Sequence, residues 1–188
     1  FLESWDPDKP FFFLYGASEP HLAYETGIGK RNGINPAEID VPEFLSDVDV
    51  VRRDMSDYYY EIQWQDAQLG KMLTHLEQNN LLENTLIVVI SDNGASAEGG
   101  PTGTVNGMFG FNTVKESLAD NLNALDRLGG VDCFNHYPQG WAHAGNTPFR
   151  RWKGEAYRGG TTVPCIVFWP RGIQARGEVR SQYAHIID

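Results

Sequence analysis

Across 188 residues, 25 acidic side chains stand against 15 basic ones, a formal net charge of −10, with no run of Lys or Arg that could track a phosphate backbone; this argues against nucleic acid as a partner. A hydrophobic share of 41% supports one domain with a sizeable core and sets aside disordered and fibrous classes. No stretch is long and apolar enough to span a bilayer, and the two cysteines, Cys133 and Cys165, match neither a disulfide framework nor a zinc pattern.

The first expected element is a strand over Pro10-Phe11-Phe12-Phe13-Leu14-Tyr15, a continuous apolar run stopped by Gly16, as in a parallel sheet buried on both faces. A Gly-, Pro- and Asn-rich loop follows, from about Ala17 to Pro42. In it, Gly27-Ile28-Gly29-Lys30 is too short for a phosphate-binding loop and follows no strand directly. A long helix comes next. Val51, Met55, Tyr58, Ile62, Leu69, Leu73 and Leu76 share one helical face. Ser46 is the expected N-cap, Asp47 and Asp49 fall in the first turn, and Asn79-Asn80 is the expected stop. Asp66 lies on the apolar stripe between Ile62 and Leu69, where a carboxylate is expected to need a partner. Thr85-Leu86-Ile87-Val88-Val89-Ile90-Ser91 is the clearest strand of the chain and runs into Asp92-Asn93-Gly94. Strand, helix and strand make a βαβ unit with parallel strands.

Residues from Ala95 to Asn112 read as a Gly-rich loop, and Glu116 to Leu128 as a short helix closed by Gly129-Gly130. An irregular aromatic segment from Val131 to Gly160 precedes a third strand at about Thr162–Trp169, in which Cys165 reads as a buried, inert thiol, like Cys133. The expected fold class is therefore α/β, a mainly parallel sheet flanked by helices.

Open parallel sheets bind ligands at the carboxyl ends of their strands. Asp92 and Asn93 stand there, and His21 lies in the loop after the first strand. A carboxylate and an amide oxygen are hard donors suited to Ca²⁺ or Mg²⁺, but two ligands cannot hold such a cation alone. From spacing alone, Asp92-Asn93-Gly94 reads at least as well as an ordinary turn. Taken alone, His21 reads better as an ordinary loop histidine, and Lys153, within Arg150-Arg151-Trp152-Lys153, as part of a solvated basic cluster.

Taken in order, Phe13-Leu14-Tyr15 with Pro20-His21, then Ile90-Ser91-Asp92-Asn93-Gly94, then Lys153 with Gly159-Gly160 and Val163-Pro164 resemble the sulfatases of the alkaline phosphatase superfamily. Residues 91–100 and 144–149 resemble bacterial-type arylsulfatases, while residues 35–70 are closer to sulfamidase-like enzymes. The resemblance implies a partial alkaline-phosphatase-like fold and a sulfate ester substrate. It implies Ca²⁺, with Mg²⁺ as the alternative, held in part by Asp92 and Asn93. It further implies that His21 contacts the sulfate or the leaving-group oxygen and that Lys153 binds a sulfate oxygen.

The family's nucleophile is a formylglycine made from cysteine in a Cys-x-Pro/Ala-x-Arg motif, and neither Cys133 nor Cys165 lies in one. The resemblance thus implies that residues 1–188 are part of a catalytic domain whose nucleophile-bearing N-terminal part and C-terminal subdomain lie elsewhere. Such a segment is expected to be inactive alone, with an exposed sheet edge. A periplasmic or secreted location follows from the resemblance only, and the oligomeric state is open. Two other readings stand beside it: a phosphatase or phosphodiesterase of the same superfamily, and a non-catalytic protein retaining the fold. Zinc-dependent phosphatases carry a histidine where Asn93 stands, and an amide oxygen is a poor zinc ligand beside imidazole.

Overall fold

A computed structural model describes every residue except 1–3, 7, 23, 186 and 188. In chain order the elements are α1 (Ile28–Arg31), α2 (Asp49–Gln78), β1 (Ile87–Ile90), α3 (Met108–Phe111), α4 (Leu118–Asn123), α5 (Gln139–Asn146), α6 (Arg158–Thr161) and β2 (Cys165–Phe168). Short 3₁₀ turns lie at Pro36–Glu38, Leu82–Asn84 and Leu125–Arg127.

The 30-residue helix α2 is the longest element. It begins two or three residues after the expected cap, since Val48 occupies the N-cap position and offers no side-chain acceptor. The Asp49 carboxylate there pairs with Arg53 one turn on, and negative charge at a helix start is favourable. The helix ends at Asn79, and Asn80 then takes a left-handed φ of 58°. Met55 and Leu76 of the expected stripe are buried, whereas Ile62 is exposed. Asp66 is also exposed, so the carboxylate on that stripe is solvated and needs no protein partner.

The packed interior gathers around the first half of α2. Tyr24, Ile39, Met55, Ala142 and Cys133 are among the buried side chains. Helix α5 is held to α2 by a hydrogen bond from the Trp141 indole N–H to the Asp54 carboxylate. Burial raises the Asp54 carboxyl above the usual range, and the Trp141 bond opposes that rise. Burial also lifts the neighbouring phenols: Tyr24 far above its ordinary value and Tyr137 to about 12.

The sheet departs from the sequence expectation in two ways. Segment 10–15 is not a strand; its backbone is irregular, with Phe12 85% and Leu14 79% exposed. An apolar run signals a preference for burial, but a strand requires a neighbouring ladder to satisfy its backbone, and this segment is not in one. Secondly, β1 and β2 are antiparallel, with Ile87 opposite Phe168 and Ile90 opposite Cys165. The parallel reading rested on segment 10–15 being the partner of β1. Here the partner is the strand following α6, which returns in the opposite sense. The ribbon buries little: β1 alternates between half-buried and exposed side chains, and all four residues of β2 are exposed. Cys165 is accordingly an exposed thiol, not a buried one, while Cys133 is buried as expected.

Candidate active site

Antiparallel pairing brings the end of β1 beside the chain that enters β2. The Gly94 N–H donates to the Gly160 carbonyl at 3.3 Å. A Cβ on Gly94 would lie 1.6 Å from the Gly159 carbonyl oxygen, so no larger residue fits that approach. The requirement at Gly94 is steric rather than conformational, because its φ is outside the left-handed region. The loop is tied down further by Asn146. Its side-chain oxygen accepts from the Ala95 N–H at 2.8 Å, and its amide donates to the Arg151 carbonyl at 3.1 Å. Gly94→Ala is expected to cost about 1–3 kcal/mol by overpacking and to lower the thermal unfolding midpoint; an unchanged midpoint would show that the Gly159 backbone yields freely.

At the tip of this loop Asp92 is exposed and Asn93 half-buried. The Asn93 amide N–H donates to the Gly94 carbonyl at 3.0 Å, which leaves the amide oxygen as the atom for an outside partner. Both side chains therefore offer hard oxygen. Among the described residues, no group of three or more His, Cys, Asp or Glu stands close enough to hold a metal ion.

Lys153 is fastened to the same loop. Its backbone N–H donates to the Ala95 carbonyl at 3.0 Å, and its ammonium pairs with Glu98 at 3.3 Å. Glu98 also accepts from the Ser96 hydroxyl at 2.9 Å. That bond first, and the Lys153 ammonium next, hold the Glu98 carboxyl below its usual range. Lys153 is half-buried, and Glu98 offsets its charge.

His21 sits across a group of rings. Phe134 is stacked near it, with 6.3 Å between centroids and 15° between planes, and His136 meets it edge-on at 5.4 Å. The His21 Nδ1 contacts the Leu22 carbonyl. With Nδ1 against that carbonyl, Nε2 is the ring atom left to face a ligand. Burial pushes the His136 imidazole below its ordinary pKa; His21 and Lys153 act in the same sense and Glu98 opposes them. These four groups therefore share one electrostatic environment.

The structure ties Lys153 to the loop that bears Asp92 and Asn93; His21 meets His136, whose imidazole feels the charges of Glu98 and Lys153. It gives no direct contact from Asp92 to His21 or Lys153. Sequence reasoning missed Glu98 and His136. Glu98 lies only six residues past Asp92, in a stretch read as a Gly-rich loop and matched to the arylsulfatases as a whole without a role for Glu98, and His136 lies in the aromatic segment read as irregular.

The sulfatase family model matches residues 1–188, the whole chain. The chain belongs to the sulfatase family. Membership brings the alkaline-phosphatase-like α/β fold class, of which this segment supplies helices and a two-stranded antiparallel ribbon. The sulfatase segment is 30% identical to an uncharacterised sulfatase of Schizosaccharomyces pombe over 118 residues, covering 63% of the chain and 20% of that protein. It is 27% identical to an arylsulfatase of Klebsiella aerogenes over 124 residues, 65% of the chain and 25% of that enzyme. It is also similar, at 26% identity over 123 residues, to human N-sulphoglucosamine sulphohydrolase, with 54% of the chain and 24% of that enzyme covered. The chain thus spans a quarter or less of the length of these relatives. Among the described residues no helix is long and apolar enough to cross a membrane.

Proposed function

We propose that this sulfatase segment supplies one side of the active site of a sulfuric ester hydrolase: Asp92 and Asn93 for a divalent cation, Lys153 for a sulfate oxygen, and His21 for the leaving-group oxygen. The observation that carries this reading is the fastening of Lys153 to the loop behind Asp92-Asn93 through the Ala95 carbonyl, in a chain matched along its whole length by the sulfatase model.

Sulfatases generally use a divalent metal and a formylglycine. Asp92 and Asn93 fit a hard cation by donor type, since one offers a carboxylate and the other an amide oxygen whose N–H is already used on the Gly94 carbonyl. They do not fit it by number, so the remaining oxygen ligands, like the nucleophile, come from outside residues 1–188 in this reading. When bound, the cation withdraws electron density from the sulfate oxygens and so favours S–O cleavage.

The chain's own residues act around that centre. As the S–O bond breaks, charge builds on the ester oxygen and on the peripheral oxygens. The Lys153 ammonium, held by Glu98, donates to a peripheral oxygen. In this reading His21 serves as the general acid, delivering a proton to the departing oxygen through Nε2. Water replaces the lost S–O bond overall, and the products are an alcohol or phenol and inorganic sulfate.

A full-length enzyme containing this segment is expected to release sulfate from a nitrophenyl sulfate, to lose that activity on chelation, and to regain it with Ca²⁺. Hydrolysis of the matching phosphate ester with zinc instead would support the phosphatase reading, and Asn93 in place of an imidazole speaks against that outcome. Inactivity toward both esters in a correctly folded, formylglycine-bearing enzyme would support a non-catalytic role.

A further inference from the structure

Residues 133–136 run as a short extended segment whose side chains alternate. Cys133 and Asn135 point inward and are buried, while Phe134 and His136 face the other way, toward His21. The segment is pinned on one side by paired hydrogen bonds between the backbones of Thr104 and His136, both 3.1 Å, and by the Gly107 N–H on the Phe134 carbonyl at 2.7 Å. On the inner side, the Asn135 side-chain oxygen accepts from the Gly129 N–H at 3.1 Å. The His136 ring lies in the space that a side chain at Gly107 would fill, since a Cβ there would sit 2.4 Å from its Nε2. A backbone anchored at this many points gives the ring a fixed place.

We propose that His136 is a positioning residue for His21: its ring, seated over Gly107 and edge-on to the His21 ring, fixes the direction in which His21 presents Nε2 to the leaving-group oxygen. The inference rests on the role assigned above to His21. Three rings define the arrangement, because Phe134 stacks along one face of His21 and also meets His136 edge-on at 5.3 Å. His21 itself is exposed, and an exposed imidazole has freedom to turn unless neighbours restrict it. The electrostatics agree with the geometry. Burial, the largest cause, lowers the His136 pKa from its ordinary value, and the nearby His21 acts in the same sense. Glu98, the carboxylate of this group, offsets the Lys153 ammonium.

The test is steady-state kinetics of the full-length enzyme on aryl sulfates whose phenol leaving groups differ in pKa. Protonation by His21 matters most for poor leaving groups and least for activated ones. His136→Ala is therefore expected to lower kcat on the order of tenfold for a poor leaving group, with KM and the nitrophenyl rate changed less than about twofold. Gly107→Ala is expected to give the same signature, because its methyl displaces the ring while leaving the imidazole intact; it carries the test should His136→Ala not fold. His136→Phe keeps the ring edge and is expected to recover most of the rate. A uniform loss across the series, or none, in variants whose wild type is active overturns the positioning role alone. A wild-type enzyme inactive on every sulfate ester overturns the reading of His21 and this inference with it.

Discussion

Asp92→Ala in the full-length enzyme is expected to lower kcat/KM for an aryl sulfate by at least about 10³-fold. Asp92 is the one charged donor of the pair at the tip of β1, and a neutral amide alone holds a hard cation poorly. The side chain is exposed and accepts no hydrogen bond among the described residues, so its removal should change stability only within the range of ordinary surface substitutions, about 0.5 kcal/mol. Loss of activity without loss of stability is the signature to look for. Asp92→Asn keeps the shape and one oxygen, so it should retain part of the activity and respond to raised Ca²⁺, whereas Asp92→Ala should not. Measuring kcat/KM of the three forms across a Ca²⁺ titration separates these cases. Wild-type turnover in Asp92→Ala would refute the metal role outright.

The parts of the molecule that were legible in the sequence are those set by local pattern. The stripe Val51–Leu76 gave helix α2 because a 3.6-residue period can be satisfied within one element, and Asn79 ended it as expected. The β-branched run Ile87–Ile90 gave β1, and Cys165–Phe168 gave β2. What local pattern does not encode is pairing. Segment 10–15 is as apolar as β1, yet only β1 has a ladder, and the sense of the β1–β2 pair depends on how the intervening 74 residues route the chain, from Ser91 to Pro164. The candidate site divides along the same line. Asp92, Asn93, His21 and Lys153 were findable by motif order. Glu98 and His136 act through space, across 55 residues to Lys153 and across more than 100 to His21, and nothing in their neighbours announces it. At Gly27 and Gly29 the sequence argued against a phosphate-binding loop, and their N–H groups are used instead by a side chain from α2.

That side chain carries the second large effect. Asp57→Ala is expected to destabilise the fold by about 3–5 kcal/mol. Asp57 is only 2% exposed, and its two carboxylate oxygens accept from the Gly27 N–H at 2.7 Å and the Gly29 N–H at 2.8 Å. These donors open the short helix α1, which has no side-chain cap of its own, so a residue 28 to 30 positions away on α2 serves in its place. Hydrogen bonds to a charged acceptor contribute about 1.5–3 kcal/mol each, and truncation also leaves the buried Gly29 donor and the half-buried Gly27 donor without this partner. Asp57→Asn retains one accepting oxygen and should cost roughly half as much. The contact is equally demanding on the α1 side. A Cβ at Gly29 would lie 2.1 Å from the Ser56 carbonyl oxygen, and Ser56 is fully buried, so Gly29→Ala must lift α1 off α2 at a cost of about 2 kcal/mol or more. Thermal unfolding of the full-length enzyme gives the magnitude. Amide hydrogen exchange at Gly27 and Gly29 gives the location, because both amides should exchange faster in Asp57→Ala while those in the middle of α2 hold their protection. Unchanged exchange at these two glycines would mean that water replaces the carboxylate without loss, and that α1 is held by its packing on Ser56 rather than by Asp57.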